Sequence, residues 1–133
     1  MIQINKDSSN DVVVTVSDSI TLVNSIYLFE FKNDQDNSLH YFIAGDNSLY
    51  PERYNLFVVT ETSSSPDPLI GEVSLNLTGF YSYRIFEQLS TTNLDPTLCD
   101  NTTPLEVGKV LVLGVGETEY EYTYNPTITV YQG

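Results

Sequence analysis

Tryptophan is absent from this chain, and cysteine, histidine and methionine occur once each. A lone cysteine, Cys99, excludes an internal disulfide, a multi-cysteine zinc site and a paired redox motif. The only histidine, His40, would have to serve any histidine-dependent triad, and it sits inside a strand-like run. Cations are scarce: 5 Lys and Arg stand against 18 Asp and Glu, for a net charge of −13. A groove that tracks phosphates cannot be built from so few cations in so negative a field, so nucleic acid is not expected as a partner. No apolar run approaches the length of a membrane span, and residues 1–7 lack the apolar core of a signal peptide. The expectation is a chain made and kept in a reducing cytoplasm, without a membrane partner. Asn76-Leu77-Thr78 and Asn101-Thr102-Thr103 match the glycosylation sequon, and without a secretory signal they read as chance.

What is present is a period of two. Strand-like runs at 1–4, 12–16, 26–32, 39–43, 54–61, 72–77, 80–87, 105–113, 117–124 and 127–131 are separated by turn chemistry, with almost no helical pattern. The 133 residues suit one domain, 1–133, able to bury about two-thirds of its unfolded surface. No helix is long enough for a crossover, so parallel sheet is not expected. The fold class is all-β, an antiparallel β-sandwich of about eight to nine strands. Tyr27, Phe29 and Phe31 should face the core, with Glu30 and Lys32 on the opposite side. The polar turn 33–37 joins 26–32 to 39–43 as a hairpin, and Thr78-Gly79 joins 72–77 to 80–87 as another. Residues 63–68 read as a surface loop and 89–104 as a long loop over the sandwich edge.

Candidate chemistry is thin. Asp95 and Asp100 would raise the pKa of Cys99 and make it a poor nucleophile. His40 reads as a solvent-facing or hydrogen-bonded side chain. Paired acids leave a glycosidase or carbohydrate-binding module open, weakened by the lack of tryptophan, although tyrosine can replace it. Asp34-Gln35-Asp36-Asn37 has oxygen ligands at alternate positions but no EF-hand glycine or terminal bidentate acid, and reads better as a turn. No cofactor, metal or catalytic residue is assigned. Arg84 should pair across strands with a carboxylate.

Two segments are candidate interfaces. In 117–124, glutamates alternate with Thr118, Tyr120, Tyr122 and Tyr124; either the tyrosines cover the core above a charged solvent face, or this is an arm that docks on a partner. Tyr50-Pro51-Glu52-Arg53-Tyr54 concentrates aromatics and an arginine in a surface connection. There Arg53 either pins the loop to an acid or contacts a partner, and Tyr50 and Tyr54 belong with it.

The ordered segments Tyr27-Leu28-Phe29-Glu30-Phe31, Tyr50-Pro51-Glu52-Arg53-Tyr54-Asn55, Gly79-Phe80-Tyr81-Ser82-Tyr83-Arg84-Ile85-Phe86-Glu87-Gln88 and Leu105-Glu106-Val107-Gly108-Lys109-Val110-Leu111-Val112 resemble short virion structural proteins of crAss-like tailed phages. Similarity extends from about Ile4 to Gln132. The resemblance implies an immunoglobulin-like sandwich and an auxiliary, or decoration, capsid protein on the outer surface of the head. It would dock on the major capsid protein or other virion proteins, anchor head fibres, or self-associate. A neck or tail connector is the alternative, and a carbohydrate-binding adhesion module a second one. The resemblance transfers no functional residue.

Overall fold

Runs rich in β-branched and aromatic residues form strands here because alternate side chains fall on opposite faces, one apolar and one polar. The computed structural model describes residues 1–16, 19–22 and 25–114. In them, eight strands build two sheets: β1 (Ile2–Asn5), β2 (Ser9–Val14), β3 (Ile26–Asn33), β4 (Leu39–Ala44), β5 (Asn55–Glu61), β6 (Glu72–Val73), β7 (Gly79–Gln88) and β8 (Glu106–Leu113). The five-stranded sheet runs β1-β8-β7-β3-β4, and the three-stranded sheet runs β2-β5-β6. Short 3-10 turns at Pro68–Ile70 and Pro96–Leu98 are capped by Asp67 and Asp95.

The core lies between the two sheets. Ile4, Phe29, Phe31, Phe42 and Ile85 meet Phe57 and Val59 of the smaller sheet, all fully buried. Phe57 stands edge-on to Tyr27 and Phe29, with ring centroids 5.2 and 5.0 Å apart, and Phe29 stacks on Phe42 at 5.0 Å. Such pairs add about 0.5–1.5 kcal/mol each beyond the area they bury. The 26–32 and 39–43 hairpin forms with Lys32 opposite Leu39.

The chain is nearly all β, but its sheets are mixed rather than antiparallel. β1 lies parallel to β8, and β6 parallel to β5. A parallel neighbour needs a long return connection, not a helix as such. For β1 the return is most of the described chain, because Asp7 at φ 58° turns β1 away from β2 and into the other sheet. For β6 it is the loop 62–71. The expected hairpin about Thr78-Gly79 does not form: only Glu72–Val73 is strand, and β7 pairs with β3 and β8 instead. Val73 and Leu75 keep the alternation that a strand would have and are buried. The backbone N–H of Leu75, however, donates to the carboxylate of Glu61 at 2.9 Å rather than to a sheet.

The loop 89–104 crosses the outer face of the five-stranded sheet, not its edge. Leu28, Ile43 and Phe86 point away from the main core, and the loop covers them with Cys99 and Leu94. Apolar residues on the outward face needed a cover, and the loop is that cover.

Two carboxylates hold the connections. Glu61 Oε1 accepts from Asp7 N at 2.8 Å, so one side chain ties the β1–β2 corner and the chain beyond β6. Glu87 accepts from Thr21 N, Thr21 Oγ1, Leu22 N, Ser25 Oγ and Asn101 Nδ2. Burial alone would raise the pKa of Glu87, but the donors from Asn101, Thr21 and Leu22 outweigh it and hold the carboxyl below the ordinary glutamate range. A depressed carboxyl pKa contributes stability that is present above the unfolded-state value and lost as pH falls through the folded-state value. Glu87→Gln should lower stability at pH 7 by about 1–3 kcal/mol and flatten its decline under acid, read by urea unfolding at neutral and acidic pH.

Gly108 lies opposite Tyr83, and a Cβ there would meet the Tyr83 ring at 2.7 Å. The ring is buried and its hydroxyl donates to Glu106 at 2.7 Å, so it cannot easily yield. Gly108→Val should cost about 1–3 kcal/mol, visible as a lower Tm by circular dichroism.

Candidate docking loop and polar groove

The connection between β4 and β5 is short on ladder bonds, and an aspartate replaces them. Asp46 Oδ1 accepts from Ser48 N at 2.9 Å and Leu56 N at 3.0 Å, while Oδ2 accepts from Asn55 Nδ2 at 2.8 Å. Asn55 in turn accepts from Val16 N at 2.8 Å, and Asn47 N donates to Leu56 O at 2.7 Å. Further along, the N–H groups of Arg53 and Tyr54 both donate to Tyr50 O and close a tight turn. The pinned backbone displays Leu49 at 83% exposure and Tyr50 at 53%, beside an exposed Arg53 and a half-buried Tyr54. Among the described residues Arg53 has no ion pair. Asp46, which sequence reasoning did not single out, pins this loop; an acid flanked by polar residues just before a turn was its signal.

The second feature is a groove of about 780 Å³ on the outer face of the five-stranded sheet. Its floor carries Tyr41, Glu30 and Arg84 side by side on β4, β3 and β7, with Leu39, Lys32 and Ser82 in the next row. Arg84 Nε and Nη2 donate to the two oxygens of Glu30 at 2.6 and 2.9 Å, and the Tyr41 hydroxyl adds a bond at 3.1 Å. This is the cross-strand pair expected for Arg84. The guanidinium also lies 5.1 Å from the centre of the Phe86 ring. Residues Asp95, Pro96 and Thr97 of the covering loop form one wall. Hydrogen bonds from Arg84 hold the Glu30 carboxyl below the ordinary range, and bonds from the Thr97 hydroxyl and N–H do the same for Asp95. Both carboxylates are therefore acceptors at neutral pH rather than proton donors.

The other sequence candidates fall apart from these two places. Cys99 is buried, its Sγ 3.5 Å from Gln88 Oε1, and burial with Asp100 and Asp95 pushes the thiol pKa up. His40 sits half-buried on the core-facing side of β4, 6.1 Å from the Tyr81 ring, and burial lowers its pKa. Asp34 meets Lys109 Nζ at 2.7 Å and Ser82 Oγ at 3.0 Å, and Asp36 accepts from Ser38 N, which builds the turn. Tyr120, Tyr122 and Tyr124 lie outside the described residues.

No family model and no curated protein matches the sequence. Among solved structures, a candidate glycoside hydrolase from Bacteroides vulgatus ATCC 8482 aligns with a TM-score of 0.44 at 8% identity, over 88% of this chain. The chain spans 17% of the length of that protein.

Asp46→Ala should leave the sheets intact while freeing the loop. Faster amide exchange at Ser48 and Leu56, with a stability loss of about 1–2 kcal/mol, is the expected result of a hydrogen-exchange measurement.

Proposed function

We propose that the chain is a non-enzymatic structural component of a phage virion. It is an auxiliary capsid protein that docks through the 45–54 loop on the outside of the major capsid protein shell, or anchors head fibres there. On this reading the two sheets serve as an immunoglobulin-like sandwich that holds the loop away from the rest of the surface. The observation that carries it is the exposed set Leu49, Tyr50 and Arg53 on a backbone already fixed by Asp46. Leucine, tyrosine and arginine supply apolar area, a ring and a planar cation, and a fixed loop loses little entropy when it binds. The net charge of −13 repels packaged nucleic acid and favours an outer position.

Antibody against the protein, viewed on intact particles by electron microscopy, should label heads. Label confined to the neck or tail would overturn the capsid placement, and absence from purified particles by mass spectrometry would overturn virion membership. Combined Leu49→Ala, Tyr50→Ala and Arg53→Ala substitutions should lower particle-bound protein at least about tenfold while circular dichroism stays unchanged.

A further inference from the structure

The groove above Glu30 and Arg84 is separate from the docking loop, and its chemistry points to a small polar ligand. Its charged residues cancel, with Lys32 and Arg84 against Glu30 and Asp95, although the chain as a whole carries −13. A ligand selected here therefore needs no net charge. Of its floor strands, β3 and β7 are interior, with backbone groups engaged on both sides, and β4 is the edge strand of the sheet. A peptide strand could pair only along the β4 edge, beside the groove, so recognition over the floor itself falls to side chains.

Those side chains alternate between donors and acceptors. Glu30 and Asp95 are held as anions with acceptor capacity left over, while Lys32 and Arg84 offer donors. A sugar hydroxyl donates and accepts at once, so vicinal hydroxyls can bridge such a set. Tyr41 and Leu39 supply apolar surface for the C–H face of a pyranose ring, in a chain that has no tryptophan to do so. The Tyr41 ring is also fixed in place by its hydroxyl bond to Glu30. We propose that this groove binds a neutral oligosaccharide, lying across Tyr41 and Leu39 with its hydroxyls on Glu30, Arg84 and Asp95.

The test is a titration of the isotope-labelled full chain, followed by NMR, with cellohexaose, maltohexaose and mannohexaose, and with a galacturonate hexamer as the anionic probe. A neutral hexamer should shift the amides of Leu39, Tyr41 and Thr97 and saturate below about 10 mM. Tyr41→Ala should weaken binding at least about tenfold. Leu39→Glu should do the same from an exposed position that leaves the Glu30 bonds untouched, and so covers the case in which Tyr41→Ala fails to fold. Preference for the galacturonate hexamer, shifts confined to another surface, or silence with every hexamer and on a printed array of neutral glycans would each overturn the proposal.

Discussion

Glu61 and Glu87 stand at core-facing positions at the ends of β5 and β7, and the segments that leave the sheets are fastened to them. A carboxylate removed from water is costly unless its oxygens are hydrogen-bonded, and here the donors include backbone N–H groups outside the ladders, joined at Glu87 by the side chains of Thr21, Ser25 and Asn101. The two needs cancel. The β1–β2 corner, the chain after β6 and the stretch around Thr21 take their positions from these two side chains. Similar ties continue beyond β7, where Gln88 Nε2 donates to Asn93 O, Asn93 Nδ2 donates to Gln88 Oε1 and Leu89 N donates to the Asp100 carboxylate.

Fastening at both ends holds the 89–104 loop on the outer face, and this placement makes the groove. Without the loop, Leu28, Ile43 and Phe86 would form an exposed apolar patch, and the Glu30–Arg84 pair would lie on an open sheet. With it, the pair becomes the floor of a walled site. The 45–54 loop is built by the same logic with Asp46 in the role of the glutamates. Both surfaces are thus held in part by side-chain acceptors acting on backbone donors.

Much of this architecture could be read from the sequence. Period-two patterning located most of the strands and put Tyr27, Phe29 and Phe31 inside, and the Arg84 pair followed from the facing of its neighbours. Pairing was less legible. The alternation of residues 72–77 is equally served by a hairpin or by a chain crossing between sheets, because Val73 and Leu75 are buried either way. Sheet direction was lost for a related reason, since nothing local in residues 1–5 announces a partner at the far end of the described chain. The glutamate ties had a visible trace: Glu61 follows Phe57 and Val59, and Glu87 follows Tyr83 and Ile85, in positions that the period assigns to the core. The groove had none, since its wall and floor come from segments far apart in sequence.

The pairing of Ile2 with Val110 has a consequence for synthesis on the ribosome. β1 leaves the ribosome well before its neighbour and finds it only after about a hundred further residues have been made. Until then its apolar side chains Ile2 and Ile4 have no β8 against which to lie, while the β3–β4 hairpin can form from the nascent chain at once. Closure of the larger sheet by β1 therefore waits for β8, and slow translation of the residues between them would prolong that wait.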